Sequence, residues 1–174
     1  WIDVGEDGAT HHGAFDMAFM NSIPEMIVSA PMNEVELRNL MFTSTSYNKG
    51  PFSIRYPRSR GVCDSWVLPF EKIEIGKGRC LIEGGKIAIL SIGHAGNFAI
   101  SATSLLNEIN IHPGVFDMRF ISPIDEDLLH NVFNNYENII TVEDGIISGG
   151  LGNKISVFKN LHNYQNKVVS LGIP

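Results

Sequence analysis

Two short stretches carry the residue types that chemistry needs. The first is DGATHHGAFD, residues 7–16, which sets Asp7, His11 and His12 on a glycine-flanked segment just ahead of an apolar run. Gly5, Gly8 and Gly13 let the backbone turn sharply. Thr10 reads as the N-cap of a helix that begins near Ala14, which places His11 and His12 at a helix N-terminus. Unpaired N–H groups and the helix dipole there favour negative charge and disfavour an imidazolium. A histidine so placed stays neutral and can both donate and accept hydrogen bonds. The same imidazoles would equally serve to bond the loop to its neighbours, and spacing leaves both readings open. The second stretch is IRYPRSR, residues 54–60, with Arg55, Arg58 and Arg60 on a chain of net charge −6. Three guanidinium forks so close together suit phosphate or carboxylate oxygens. Ordinary surface ion pairs are the competing reading.

Other candidates are weaker. SIGHAGN (91–97) and SGGLGN (148–153) each join a strand to a helix, where a phosphate could sit. Neither is a GxGxxG or Walker loop. Tight turns need glycine anyway, so the structural reading is preferred. His94, His112, His130 and His162 show no ligand spacing, so no metal site is expected from this chain. No GxSxG elbow singles out a serine nucleophile.

The elements that must position these residues follow from hydrophobic period and caps. In the first half the pattern predicts a helix over 14–22, a strand over 25–30, a helix over 33–46 and a strand over 52–56. Asn33 is the expected N-cap of the second helix, with Glu36 in the capping-box position. Pro57 stops the strand because it cannot donate a ladder hydrogen bond. Residues 58–86 lack helical period and carry turn glycines, so a linker is placed there with a domain boundary near residue 75. Beyond it, strands at 86–93, 114–120, 138–144 and 167–173 alternate with helices at 97–109, 124–136 and 150–162. That rhythm argues for parallel strands with right-handed crossovers. The fold class expected is α/β: two three-layer α/β/α units with mostly parallel sheets. The first unit, residues 1–75, reads as incomplete at its N-terminus, and the second covers 76–174.

Composition bounds the function. Hydrophobic residues make up 44% and charged residues 18%, enough for a packed core. No run approaches the ~20 apolar residues of a membrane span. No basic, apolar signal segment is visible. No Lys/Arg-dense stretch offers a nucleic-acid surface. Two distant cysteines, Cys63 and Cys80, suggest a reduced, cytoplasmic setting. The opening Trp1-Ile2-Asp3-Val4 lacks an initiator Met and reads as the interior of a longer protein.

GEDGATHHGAFD, SIPEMIVSAPMNEVELRNLM, GPFSIRYPR, IGKG, DMRFISPID and TVEDGIISGGLG, in that order, resemble the 1-deoxy-D-xylulose-5-phosphate synthases. These are thiamine-diphosphate enzymes of the transketolase type. The resemblance covers almost the whole chain, and its D-G-x-T-H-x-G-x-F-D and Y-P-R pieces are specific. It implies residues 1–75 in the later part of a pyrimidine-binding domain and 76–174 in a truncated C-terminal domain. It implies the decarboxylative joining of pyruvate to glyceraldehyde 3-phosphate, in a homodimer. By position, His11 matches the active-site histidine, Asp7 a substrate-hydroxyl ligand and Arg58 a ligand of the triose phosphate. Thiamine diphosphate and Mg²⁺ would be held by residues upstream of this chain, so the piece alone is expected to be inactive. Ser59 replaces the family's glycine after Y-P-R and stiffens the turn that aims Arg58. Two other readings compete: another transketolase-like enzyme (a transketolase or 2-oxo-acid dehydrogenase β-subunit), and a non-catalytic α/β assembly module.

Overall fold

A computed structural model describes residues 11–58 and 60–174; Asp7, Thr10 and Ser59 lie outside them. In chain order the first half holds α1 (Asp16–Met20), β1 (Ile27–Ser29), α2 (Glu34–Thr45) and β2 (Phe52–Ile54). Then come β3 (Arg79–Ile82), β4 (Ile87–Ser91), α3 (Ala95–Glu108), β5 (Gly114–Asp117) and β6 (Phe120–Ser122). The last elements are α4 (Glu126–Asn135), β7 (Asn138–Ile146), α5 (Leu151–Leu161) and β8 (Lys167–Ile173). Among the described residues no helix is long and apolar enough to cross a membrane.

The larger sheet runs β3-β5-β4-β7-β8. β4, β5, β7 and β8 pair in parallel, as the strand–helix rhythm predicts. Side-chain alternation sorts its two faces. Ala88, Leu90, Phe116 and Ile139 share a buried cluster with Leu129, Val132 and Phe133 of α4 and Leu151, Ile155 and Phe158 of α5. Ile89 and Val115 point the other way, against Ala99 and Ile100 of α3. Helices on both faces make this unit three-layered.

Two strands depart from the sequence expectation. β3 lies inside the stretch read as linker and pairs antiparallel with β5. It is too short and too evenly half-buried to show a period; its partner makes it a strand. The single strand expected over 114–120 is instead two. The chain breaks at Met118-Arg119, with Arg119 at φ 57°, and enters the other sheet as β6. That sheet has the order β2-β1-β6, with β1–β2 parallel and β1–β6 antiparallel. The second half thus supplies an edge of the first half's sheet. One core cluster accordingly runs through Met17, Val28, Leu90, Met118, Ile121 and Leu151.

α2 ties the halves together. Its N-cap is Asn33, whose side chain accepts from Glu36 N at 3.0 Å, as expected. The Glu36 carboxylate does not close a capping box. It is forked by Arg119 (Nε 2.8 Å, Nη2 2.9 Å) and met by Arg79 at 2.9 Å. Arg79 also reaches Asp117 on β5 at 3.2 Å. Another side of α2 grips residues 60–75 through their backbone. Glu34 accepts from Val62 N and Cys63 N, Arg38 donates to the carbonyls of Trp66 and Leu68, Asn39 accepts from Glu71 N and Thr43 from Ile73 N. The Arg38 guanidinium also lies over the Phe70 ring at 4.3 Å. The segment read as a linker is therefore a strap fastened along one helix.

Burial pushes Asp117 up to about 6, against the pull of Arg79 and with the added push of Glu36. A carboxyl whose folded pKa lies above its unfolded value of 3.8 stabilises the native state fully below that value. The contribution is lost as pH rises through about 6. Asp117→Asn, which cannot ionise, should therefore gain roughly 1 kcal/mol relative to wild type between pH 5 and pH 7.5. Urea unfolding at the two pH values measures this double difference.

Candidate active site

Ligands in open parallel sheets gather beyond the carboxyl ends of strands. A cavity of about 1010 Å³ lies there for both sheets at once. Met32 and Asn33 come from the turn after β1, and Tyr56, Pro57 and Arg60 from the segment after β2. His94 and Asn97 follow β4, and Asp144 belongs to β7. The strap adds Val62, Cys63, Asp64 and Trp66. Tyr56, Trp66 and Phe98 leave much of their rings exposed, so the walls are aromatic with a polar floor. Asn97 fixes that floor by donating to Met32 O (2.7 Å) and His94 O (3.0 Å).

The floor ends in a charged hub. His94 Nε2 lies 3.2 Å from Asp144 Oδ2 and its ring packs edge-on to Phe98. Arg55 Nη1 lies 3.5 Å from the same carboxylate oxygen, and Nη2 donates to Asp144 O at 2.9 Å. Arg55 Nε donates to Asp16 Oδ2 at 3.3 Å. With a side chain 8% exposed, Arg55 is spent inside the protein. The three-guanidinium patch expected from sequence is thus divided: Arg55 is internal, Arg60 lines the cavity and Arg58 is exposed. His94, within the glycine-rich turn given a structural reading, forms cavity wall. No spacing signalled this, because its partner is fifty positions away.

The second glycine-rich loop is structural, as preferred from sequence. Glu143 fills the N-terminus of α5, accepting from Leu151 N (2.9 Å) and Gly152 N (2.8 Å). Burial pushes this carboxyl up while those two N–H groups pull it down. A protein carboxylate occupies the place proposed for a phosphate.

Asp7 lies outside the described residues. His11 is exposed, as is Arg58 beyond β2, and neither lines the cavity whose wall holds Tyr56, Pro57 and Arg60. The helix expected from Ala14 starts at Asp16, with Phe15 as N-cap and no side-chain cap. His11 therefore sits five residues ahead of that helix rather than at its mouth. The dipole argument for a neutral His11 does not carry over to α1. Asp16 itself accepts from Met17 N at 2.7 Å. Among the remaining histidines, His112 bonds Asn107, and His130 bonds the Tyr164 hydroxyl and packs on His162. Among the described residues no group of three or more His, Cys, Asp or Glu could hold a metal ion. Both cysteines are free thiols, and burial together with Glu34 pushes the Cys63 thiol up.

Comparison with known proteins meets this geometry. The model of the transketolase pyrimidine-binding domain matches residues 2–61, and that of the transketolase C-terminal domain matches residues 76–174. The chain is 57% identical over 172 residues to a 1-deoxy-D-xylulose-5-phosphate synthase of Cytophaga hutchinsonii, covering 98% of this chain and 27% of that protein. It is 49% identical, with the same coverage, to the synthase of Bacteroides thetaiotaomicron. The chain spans about a quarter of the length of these curated relatives. A solved split-gene transketolase, an inactive beta4 tetramer, superposes with a TM-score of 0.85 at 29% identity, over 95% of this chain and 54% of that one. Matched along most of its length, with a cavity at the carboxyl ends of its parallel strands, the chain belongs to the transketolase family.

Proposed function

We propose that this chain is part of a 1-deoxy-D-xylulose-5-phosphate synthase, a thiamine-diphosphate-dependent transferase that joins pyruvate to glyceraldehyde 3-phosphate with loss of carbon dioxide. The observation that carries this reading is the 57% identity to such a synthase across 98% of the chain. Thiamine diphosphate, when bound, supplies the nucleophilic carbon. By the family resemblance, Mg²⁺ and the cofactor's diphosphate belong to residues of the whole protein outside this chain.

The chain's own residues bind and orient. His11 hydrogen-bonds the substrate oxygen on which negative charge develops and moves a proton there. Asp7 accepts from a substrate hydroxyl. Arg58, exposed and downstream of β2, forks the phosphate of the triose. A homodimer in the cytoplasm completes the proposal.

A steady-state assay of a full-length enzyme containing this chain tests it, with pyruvate and glyceraldehyde 3-phosphate as substrates. Formation of 1-deoxy-D-xylulose 5-phosphate is the expected result. Turnover only with ketose donors would assign the chain to a transketolase instead. Arg58→Ala should raise KM for glyceraldehyde 3-phosphate about 10- to 100-fold, the loss of one charged hydrogen-bonding group. KM for pyruvate should stay within about twofold, since pyruvate carries no phosphate. Equal KM changes for both substrates would remove Arg58 from the phosphate site.

A further inference from the structure

The segment that follows His11 is gripped by the second half of the chain. Ile146 N donates to Ala14 O at 2.9 Å, three residues after the imidazole. Asp16, at the start of α1, takes the Nε of Arg55, and Arg55 is held in turn by Asp144. Asp144 also meets His94 in the cavity wall. At the far end of α1, Asn21 Oδ1 accepts from Lys154 Nζ on α5 at 3.0 Å. Gly145 lies against this segment: a Cβ there would stand 3.2 Å from the flexible tip of Met17 and in ordinary contact, 3.5 Å, with Ala14 O. Met17 is 2% exposed and belongs to the core cluster of α5.

We propose that Asp16, Arg55 and Asp144 are positioning residues, forming with His94 a chain that links the cavity wall to the segment carrying His11 and so sets the aim of that imidazole. The proposal rests on the reading of His11 as an active-site group. A guanidinium is a rigid planar fork, so two carboxylates bound to one Arg55 are fixed relative to each other. Arg55 is buried and charged, so releasing either carboxylate leaves a charge in need of a new partner, and the segment shifts to supply one. A displacement of about 1 Å at a reacting group can cost on the order of 100-fold in rate. The second half of the chain would thereby tune chemistry that takes place on the first.

The test uses Asp16→Asn and Asp144→Asn in a full-length enzyme containing this chain. Both variants keep side-chain size, and Asp16, with a side chain 22% exposed, carries the test should Asp144→Asn not fold. Each is expected to lower kcat roughly 10-fold or more, with KM for glyceraldehyde 3-phosphate within about twofold. The double variant should lose no more than the worse single one, because both act through Arg55. Wild-type kcat in a folded Asp16→Asn variant would overturn the proposal, as would losses that multiply in the double. His11→Ala assayed alongside separates the layers. If His11→Ala lowers kcat while Asp16→Asn leaves it at the wild-type value, positioning alone is wrong; if His11→Ala turns over normally, the underlying reading of His11 fails.

Discussion

On the proposed role of His11, truncating it to alanine in a full-length enzyme containing this chain should lower kcat by about 10² to 10⁴, the span of a lost acid–base group. It leaves the fold within about 0.5 kcal/mol of wild type. The two halves of this expectation come from different facts. His11 is exposed and lies ahead of α1, so its side chain adds little to the core. The residues just after it are tightly held: Ala14 by Ile146, Asp16 by Arg55, Met17 in the core. An imidazole on a firmly anchored segment contributes position rather than stability, and that is what a catalytic group requires. Turnover measured beside thermal unfolding decides the matter. Unchanged kcat with an unchanged midpoint would remove His11 from the chemistry. A fallen midpoint would show that the loop itself depends on the imidazole.

Glu36→Gln is the substitution with the largest expected effect on folding. The carboxylate is 4% exposed and serves two guanidiniums, Arg119 through a two-nitrogen fork and Arg79 through one contact. Glutamine keeps the shape but removes the charge. Two cations then share Asp117, whose carboxyl burial already pushes up to about 6. Breaking a buried ion pair from one side costs about 3–5 kcal/mol. Because α2, β3 and the β5–β6 bend all meet at this carboxylate, the loss should uncouple the halves as well as lower the midpoint. Urea unfolding of Glu36→Gln tests the size. Adding Arg119→Met, which removes an orphaned cation, should recover part of the loss. A single variant within about 1 kcal/mol of wild type would mean the cluster is not a joint between the halves.

Much of this protein was legible before any coordinates. The β/α rhythm from residue 86 onward reflects central strands, β4 and β5, buried on both faces and helices with one apolar stripe, and periodicity reports that burial directly. β8 falls on the residues expected, 167–173, and α2 starts behind the expected cap, Asn33, since a cap is a contact three residues long. The family pieces DGATHHGAFD and IRYPR could be picked out for the same reason: they are local strings.

Tertiary structure alone decided the rest. β3 is a strand because β5 lies beside it, and β6 changes sheets because Arg119 turns the chain where Glu36 can receive its guanidinium. Arg55 is internal because Asp144, 89 positions away, stands behind it. His94 faces the cavity because β4 and β7 are neighbours in the sheet. A pair of charges separated by about half the chain leaves no period, cap or turn in the sequence. A residue's type fixes what it can bond, but only the packing of distant elements chooses the partner, and with it whether an arginine is left for a ligand or spent between Asp16 and Asp144.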